Sequence, residues 1–234
     1  EILRTFGIEG LVVIGGDGSL HGGEELSRRG IKVMGLPGTI DNDLNYTDYT
    51  IGFDTAVNTV LDAISKIRDT SSAHDRTTVI EVMGRHCGDI ALYAGLAGGA
   101  ECVLIPEEPM DVNGVIRKII EGSNRGKLHS IIIKAEGTEP SSEELVKKIE
   151  HLTGKETRLV VLSYLQRGGS PSLRDRLLAT MCAAKAVELL KEDSPSKAIG
   201  TSEGKITAYD LSEALDFPKE VDKEMFDLID VLSR

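Results

Sequence analysis

Short apolar runs alternate with amphipathic stretches along most of this 234-residue chain. The runs are nearly continuous in Val, Ile and Leu, which is typical of strands covered on both faces. They are predicted as strands in GLVVIGG, IKVMGLP, TTVIEVMG, ECVLIPE, HSIIIKAEG and TRLVVLSYLQ. The stretches between them carry apolar residues at helical spacing. They are predicted as helices over about 19–30, 54–69, 88–98, 111–122, 141–152 and 174–191, with a final helix at about 219–232. We therefore predict an α/β fold of mostly parallel sheets with helices on both faces.

The charge balance is acidic, with 27 Lys and Arg against 38 Asp and Glu, a formal net charge of −11. Such a chain is a poor candidate for binding nucleic acid or an anionic membrane surface. We therefore expect neither as a partner. A phosphorylated ligand would have to be bound by locally placed cations.

The three cysteines, Cys87, Cys102 and Cys182, show no CxxC spacing. An odd, scattered set argues against a disulfide framework and for a reducing compartment, which we take to be the cytoplasm. No apolar run approaches the roughly 20 residues that a membrane-spanning helix needs.

The first predicted strand is followed by GGDGSL, residues 15–20. Its glycines permit positive φ and let the backbone approach a phosphate, and the helix that follows offers free N–H groups to an anion. Asp17 is unusual there, because a carboxylate repels phosphates unless a cation such as Mg²⁺ bridges them. The alternative is an ordinary aspartate that stabilises a turn.

The second strand ends in PGTIDND, residues 37–43, which holds Asp41, Asn42 and Asp43 in a row. A turn needs only one such residue. One strand and one helix separate this loop from GGDGSL. Both loops should therefore lie at the same edge of a sheet, the one formed by the carboxyl ends of its strands, where ligands of parallel sheets bind. An ordinary turn is again the alternative.

Three later strand exits also carry charged side chains: Arg85 in MGRHCGD, Glu136 in EGTEP and Arg167 in QRGGSP. An arginine near the start of a helix is favourable when an anion also binds there, and arginine can bind phosphate through two parallel hydrogen bonds. Each exit alone is compatible with an ordinary loop. Jointly they favour phosphate chemistry.

In order and spacing, several segments resemble the motifs of the bacterial-type ATP-dependent 6-phosphofructokinases. They are GGDGSL, PGTIDND, DYTIGFDTA, RDTSSAHDR, EVMGRHCGD and ETRLVVLSYLQRGGSP. The resemblance covers essentially the whole chain and implies two lobes, each a mostly parallel sheet sandwiched by helices. It implies an ATP and Mg²⁺ lobe at 1–52 plus 166–216 and a fructose 6-phosphate lobe at 53–165 plus 217–234. The implied reaction, a step of glycolysis, transfers phosphoryl from Mg-ATP to the 1-hydroxyl of fructose 6-phosphate, with allosteric regulation.

The resemblance also implies a role for each matching residue. Asp41 would be the general base on the sugar hydroxyl, with Thr39 and Asp43 beside it. Arg85 would stabilise the transferring phosphoryl group. Asp17 would hold Mg²⁺. The residues implied beside the ATP phosphates are Gly15, Gly16, Asp17, Gly18 and Ser19, and those implied in binding fructose 6-phosphate are Thr39, Asp41, Met83, Gly84, Arg85, Glu136, Tyr164 and Arg167.

Further matches concern assembly and regulation. Arg76 and Arg158 would reach into a neighbouring subunit's sugar-phosphate site, so a homo-oligomer, expected to be a tetramer, is implied. The positions that match the family's allosteric site are Arg68, Glu101, Arg125 and Lys127. The implied effectors are ADP and phosphoenolpyruvate.

Two departures from the family pattern change the expectation. Tyr164 stands where many members have histidine, and a phenol cannot become cationic at neutral pH. The family's first glycine-rich ATP loop and its companion arginine would precede Glu1, and the chain opens with EILRTF, inside a helical pattern and without Met. We therefore expect the C-terminal majority of a longer enzyme, which alone turns over poorly or not at all.

Three alternative functions are open. Pyrophosphate-dependent members of the same family are expected to carry bulkier or charged residues in place of Gly18 and Gly38, so the two glycines favour ATP. NAD kinases and diacylglycerol kinases also use a GGDG loop but should lack MGRHCGD and QRGGSP. A non-catalytic regulatory homologue would share the fold, but the presence of Asp17, Asp41 and Arg85 argues against it.

Overall fold

The computed structural model describes residues 2–72, 75–109 and 111–233. Within them the strands are β1 (Gly10–Gly15), β2 (Lys32–Pro37), β3 (Thr77–Val82), β4 (Cys102–Leu104), β5 (Ser130–Ala135), β6 (Thr157–Val161), β7 (Lys197–Ser202) and β8 (Lys205–Asp210). The helices are α1 (Ile2–Thr5), α2 (Asp17–Arg28), α3 (Phe53–Ser72), α4 (Asp89–Ala97), α5 (Val112–Asn124), α6 (Ser142–Thr153), α7 (Leu173–Lys191), α8 (Leu211–Leu215) and α9 (Lys223–Leu232). A 3-10 turn spans Ser163–Arg167.

The chain divides into two compact units. Unit 1 comprises Glu1–Asp54 and Ser170–Glu220, and unit 2 comprises Thr55–Gly169 and Val221–Arg234. Each unit contains its own sheet, in the strand order β1-β2-β7-β8 in unit 1 and β4-β5-β3-β6 in unit 2. All neighbouring strands pair in parallel except β7 and β8, which are antiparallel. The predicted α/β fold with two mostly parallel, helix-covered sheets is confirmed, and the assignment of a ligand to each lobe stays a prediction.

The sheet of unit 1 is covered on both faces. Successive residues of a strand point to opposite faces, and β2 follows this rule. Val33 packs with Leu20 of α2 and belongs to the same apolar cluster as residues of α8, whereas Met34 packs with Leu178 of α7 on the other face. Two helical layers therefore bury β2, which explains why its sequence reads as a continuous apolar run.

Strand β1 is less buried than β2 within the described residues. It pairs there with β2 alone, and the side chains of Val12 and Ile14 are 43% and 67% exposed.

In unit 2, α5 and α6 pack on one face of the sheet, and their residues join a core cluster with Val79 of β3 and Ile132 of β5. Helix α4 packs on β4 and β5, and α9 packs on α4. Every residue of β5 is buried. These packed layers hold the carboxyl ends of β3, β5 and β6 at one edge of the sheet.

The central strand β5 carries a buried cation. Lys134 is 1% exposed and lies beside Glu81 in the register between β3 and β5. Burial lowers the pKa of Lys134, and the charge of Glu81 opposes that shift. Ser142 at the start of α6 donates a hydrogen bond to the Glu81 carboxylate. The buried ammonium of Lys134 thus has a neighbouring negative charge, and a hydroxyl holds that half-buried carboxylate in place.

The structure differs from the predicted elements at the end of β6 and between α7 and α9, where β7, β8 and α8 were not predicted. The predicted strand TRLVVLSYLQ ends at Val161, and the chain then turns into the 3-10 segment, where Ser163 has a φ of 42°. That left-handed conformation cannot continue a strand. The hairpin of β7 and β8 was not predicted. Its turn residues, Glu203 and Gly204, both have positive φ, and Glu-Gly is a weaker turn signal than Asn-Gly or Asp-Gly.

The cysteines agree with the predicted lack of a disulfide framework. None of the three forms a disulfide within the described residues, and all three are buried. Burial raises the pKa of Cys102 to about 12 and that of Cys182 to about 11, so both remain neutral thiols near neutral pH. In the described part of the chain no helix combines the length and the apolar character that a membrane crossing requires.

Candidate active site

The GGDGSL loop places a helix N-terminus directly behind a strand. β1 ends at Gly15, Gly16 is the N-cap of α2, and Asp17 is the first helical residue. No side chain caps this terminus. The first N–H groups of an α-helix have no acceptor within the helix. The start of α2 is therefore suited to binding an anion such as a phosphate group.

The PGTIDND loop packs tightly against GGDGSL. Gly38 N donates a hydrogen bond of 3.0 Å to Gly15 O. A Cβ atom on Gly38 would lie 2.9 Å from Ile14 Cγ2 and 3.2 Å from Gly15 N. Glycine at position 38 therefore permits the close approach of the two loops, as the common sheet edge predicted.

Gly18 has a different environment from Gly38. Among the described residues, no heavy atom lies within 4 Å of the position that a Cβ on Gly18 would occupy. Within the described part of unit 1 there is therefore open space at Gly18, and the assignment of that space to a nucleotide stays a prediction. At Gly38 the space is taken by the neighbouring loop, so packing accounts for that glycine.

The turn inside PGTIDND is formed by Asn42. This residue is buried, has a φ of 55°, and accepts a hydrogen bond of 2.9 Å from Thr50 N through its Oδ1. Thr39 Oγ1 accepts a hydrogen bond of 3.2 Å from Asp41 N. Asn42 thus fulfils the conformational role of the turn, which leaves Asp41 and Asp43 to be explained by another role.

Asp43 lies in an electrostatically unfavourable position. Burial raises its pKa, and the nearby carboxylates of Asp41 and Asp17 raise it further, while its backbone hydrogen bond and Lys219 oppose the shift. Asp43 Oδ1 is buried and has no hydrogen-bond partner among the described residues. Three carboxylates of unit 1 thus act on one another, and a carboxylate oxygen without a hydrogen-bond partner among the described residues fits a divalent cation.

In unit 2, the loops after β3 and β5 contact each other. Glu136 N donates 2.9 Å to Val82 O, and Gly137 N donates 3.3 Å to Gly84 O. Gly84 has a φ of 136°, which glycine tolerates and other residues rarely adopt. Arg85 follows on the exposed side of this loop, four residues before α4 begins. The structure therefore brings Met83, Gly84, Arg85 and Glu136 to one edge of the sheet.

The turn after β6 adds Tyr164 and Arg167 to the same edge. The Arg167 guanidinium carbon lies 4.9 Å from the centroid of the Tyr164 ring. Both side chains are exposed. A guanidinium over an aromatic face is attracted by the ring. The tyrosine that departs from the family pattern thus orients an arginine instead of supplying a second cation.

Arg76 and Arg158 lie at the other end of the strands of this sheet, where β3 and β6 begin. Arg76 directly precedes β3, and Arg158 is the second residue of β6. Both pair with Glu156, whose pKa is lowered by the hydrogen bond from Arg76 and by the charge of Arg158. At roughly 3.3 Å per residue the six residues of β3 span about 17 Å, which separates these arginines from the Met83 loop. Not all the predicted substrate residues therefore share one edge of the sheet.

The four residues predicted for effector binding surround the turn between α4 and β4. Arg68 donates hydrogen bonds to Gly98 O and Gly99 O, and Lys127 Nζ lies 2.5 Å from Glu101 Oε1. Arg125 donates 3.4 Å to Ser233 O, just beyond α9. A small cavity there is lined by Gly95, Leu96, Gly99, Ala100, Lys127, Ile229, Leu232 and Ser233.

Sequence reasoning missed two residues that shape these loops. Asp175 is buried in the first turn of α7, and its Oδ1 accepts 2.9 Å from Gly52 N. Gln166 is buried beneath the loop at Met83 and accepts 3.1 Å from its backbone N–H. The available signals were an acid at a helix start, for Asp175, and an amide inside an apolar run, for Gln166. Neither signal indicates the distant partner of the residue.

Comparison with known proteins identifies the family. The family described as Phosphofructokinase matches residues 1–190. The chain belongs to the phosphofructokinase family. This confirms the family resemblance that the motifs indicated.

Relatives within the phosphofructokinase family extend the match to the whole chain. The ATP-dependent 6-phosphofructokinase of Clostridium acetobutylicum is 58% identical over 234 residues, all of this chain and 73% of the relative. ATP-dependent 6-phosphofructokinase 1 of Clostridium perfringens is 54% identical over the same 234 residues and is likewise covered to 73%. Among solved structures, Pichia pastoris phosphofructokinase in the T-state superimposes with a TM-score of 0.86 at 33% identity, covering 98% of this chain and 30% of that one.

Proposed function

We propose that this protein transfers the γ-phosphoryl group of ATP to the 1-hydroxyl of fructose 6-phosphate, giving fructose 1,6-bisphosphate and ADP. The observation that carries the proposal is the contact between the GGDGSL and PGTIDND loops, which gathers Asp17, Asp41 and Asp43 beside the N-terminus of α2. The names of the Clostridium relatives, at 58% and 54% identity, support the same activity. Phosphoryl transfer requires anion binding, a cation and a base, and unit 1 contains residues suited to all three.

Asp41 is the proposed general base. As the 1-hydroxyl oxygen forms its bond to the γ-phosphorus, the bond from that phosphorus to the β,γ-bridging oxygen breaks, and the hydroxyl proton passes to the Asp41 carboxylate. A positioned base of this kind contributes about 10²–10⁴-fold to the rate. Asn42 and Thr39 hold the backbone on either side of Asp41 and so fix its direction.

Asp17 is the proposed magnesium ligand, with Asp43 close to it. When bound, Mg²⁺ supplies positive charge that neutralises the phosphate oxygens of ATP. The N–H groups of Asp17 and Gly18 at the start of α2 would bind the phosphates, with Gly15, Gly16 and Ser19 beside them. The raised pKa of Asp43 reports the charge repulsion that a cation would relieve.

Unit 2 is the proposed fructose 6-phosphate lobe, and unit 1 the proposed ATP lobe. Arg85 would stabilise the charge of the transferring phosphoryl group, and no acid pairs with its side chain within the described residues. The proposed sugar-phosphate ligands of this unit are Met83, Gly84, Glu136, Tyr164 and Arg167. Arginine that is exposed and not paired with a carboxylate suits a phosphate ligand.

An oligomer, expected to be a tetramer, is part of the proposal. Arg76 and Arg158 lie at the sheet edge opposite the other substrate residues, so within unit 2 they do not reach the Met83 loop. Their proposed site is the sugar-phosphate site of a neighbouring subunit. ADP or phosphoenolpyruvate would bind near Arg68, Glu101, Arg125 and Lys127, and the enzyme would work in cytoplasmic glycolysis.

The decisive assay measures phosphorylation of fructose 6-phosphate by the full-length protein, with ATP and separately with pyrophosphate as donor. We expect turnover with ATP and little with pyrophosphate, because Gly18 leaves open space on the nucleotide side of the GGDGSL loop. A preference for pyrophosphate would overturn the ATP assignment. Absence of turnover with both donors would overturn the proposed function.

Magnesium binding gives a second test. With ATP present, adding Mg²⁺ is expected to raise the Tm of the wild-type protein, since a ligand at 100 times its Kd stabilises by about 2.7 kcal/mol. Asp17→Asn is expected to lose most of the increase that depends on Mg²⁺. The control is Asp216→Asn, an exposed aspartate of unit 1 outside the loops, which should respond like the wild type. An equal response of Asp17→Asn would exclude Asp17 as the magnesium ligand.

A further inference from the structure

Gln166 is one of the most deeply buried polar side chains in unit 2, with an exposure of 1%. Both ends of its amide are paired. Oε1 accepts a hydrogen bond of 3.1 Å from Met83 N, and Nε2 donates one of 3.0 Å to Ser163 O. A buried amide is costly unless it is hydrogen-bonded, and here one side chain satisfies backbone groups of two separate loops.

The two loops that Gln166 joins hold the proposed sugar-phosphate ligands of unit 2. Met83 precedes Gly84 and Arg85 in the loop after β3, and Met83 itself is only 7% exposed. Ser163, with a φ of 42°, begins the 3-10 turn that carries Tyr164 and Arg167. The Gln166 side chain therefore links the turn that carries Tyr164 and Arg167 to the Met83 loop.

Other contacts in the neighbourhood position the loop after β5, but they do not set the distance between the Met83 loop and the turn after β6. Gly137 N donates to Gly84 O, and a Cβ on Gly137 would lie 1.9 Å from Arg85 O. This contact ties the loop after β5 to the loop after β3. Leu162 N donates 3.0 Å to Glu81 O at the end of β6, before the turn begins. Beyond that point, the hydrogen bond from Met83 N to Gln166 Oε1 links the turn to the Met83 loop, and the bond from Gln166 Nε2 to Ser163 O holds the Gln166 side chain within its own turn.

We propose that Gln166 is a positioning residue for fructose 6-phosphate, acting through a loop clasp that consists of Met83, Ser163 and Gln166. The inference rests on the proposed function and goes beyond it in one respect: the loop clasp affects the binding of fructose 6-phosphate and not the binding of ATP. The amide does not touch the substrate. It holds the Met83–Arg85 loop and the turn with Tyr164 and Arg167 at the separation that the ligand requires, and small displacements of binding groups are costly.

Two substitutions at this position separate the hydrogen bonds from the volume. Gln166→Met keeps a side chain of similar length but removes both hydrogen bonds. Gln166→Glu keeps an acceptor for Met83 N–H but replaces the donor that faces Ser163 O. In the full-length protein, Gln166→Met is expected to raise the KM for fructose 6-phosphate about tenfold and to leave the KM for ATP within about twofold. Gln166→Glu should lie between Gln166→Met and the wild type.

The control for simple loss of stability is Ile149→Val, which trims a buried side chain of α6 in the core cluster with Val79 and Ile132, outside the loop clasp. It should lower the Tm and leave both KM values within about twofold, because a removed buried methylene costs stability without moving the loops. Equal changes in both KM values for Gln166→Met, or no change in the KM for fructose 6-phosphate, would overturn the positioning role.

Hydrogen exchange at the Met83 amide provides a readout that does not need activity. In the wild type this amide is protected by Gln166, and in Gln166→Met its exchange is expected to accelerate about tenfold relative to amides of β5. If the wild type does not phosphorylate fructose 6-phosphate, the proposed function fails, and the exchange rate alone then decides whether the clasp exists. Unchanged Met83 exchange would refute the clasp in either case.

Discussion

Replacing Asp41 with serine is expected to lower the kcat for phosphorylation of fructose 6-phosphate by about 10²–10⁴-fold. Serine at this position lacks the carboxylate that accepts the hydroxyl proton, and at 1.36 kcal/mol per factor of ten the loss corresponds to about 3–5 kcal/mol. The KM values should change far less, because the base acts mainly as the proton is transferred. The measurement is a steady-state assay on the full-length protein, with the dependence of kcat on pH.

The pH profile distinguishes the loss of a base from a distorted loop. The wild type should lose activity at low pH, as the base becomes protonated, and Asp41→Ser should lack that limb. Asp48→Asn is a matched control. Asp48 is an exposed aspartate that follows Asp41 in unit 1, and its carboxylate accepts a hydrogen bond from Gly204 N. Its kcat should stay within about twofold of the wild type. If Asp41→Ser turned over at the wild-type rate, Asp41 could not be the base.

Replacing Arg85 with methionine is expected to lower kcat by about 10²–10³-fold, the usual cost of removing one group that stabilises charge in a transition state. Methionine keeps much of the length of the side chain but carries no charge. Arg85→Lys should recover part of the rate, because lysine keeps the charge but cannot form two parallel hydrogen bonds to a phosphoryl group. The same steady-state assay gives kcat and both KM values.

Arg29→Met serves as the control for Arg85. Arg29 is an exposed arginine directly after α2 that pairs with Glu25 on the surface, and exposed pairs contribute little. It should leave kcat within about twofold. If Arg85→Met raised the KM for fructose 6-phosphate but left kcat intact, Arg85 would be a binding residue without a role in the transfer step.

The sequence predicted the strand and helix order closely where the pattern is local. The run at β5 and the amphipathic stretch at α5 were found at nearly their observed bounds. The failures came where local signals are weak. Ser163 has a left-handed φ, which a serine in the sequence does not predict. The turn of the β7–β8 hairpin consists of Glu203 and Gly204, and Glu-Gly is an uncommon pair in such turns.

The candidate site was predictable to a similar extent. GGDGSL and PGTIDND could be assigned to one sheet edge because they follow parallel strands that are consecutive in sequence. The reason for Gly38 could not be anticipated, because its neighbour is Gly15, more than twenty residues earlier. Arg76 and Arg158 show the same limit: their positions near strand ends were evident, but they lie at the starts of the strands and meet at Glu156.

Hydrophobic periodicity and contiguous motifs were thus sufficient for the α/β class, the order of elements from β1 to α7 and the phosphofructokinase family, because each is specified by neighbouring residues. The hydrogen bond from Met83 N to Gln166, the packing of Gly38 against Gly15 and the effect of Asp17 and Asp41 on Asp43 were not accessible that way. They depend on contacts between residues far apart in the chain, which form only when the sheets assemble and the loops pack.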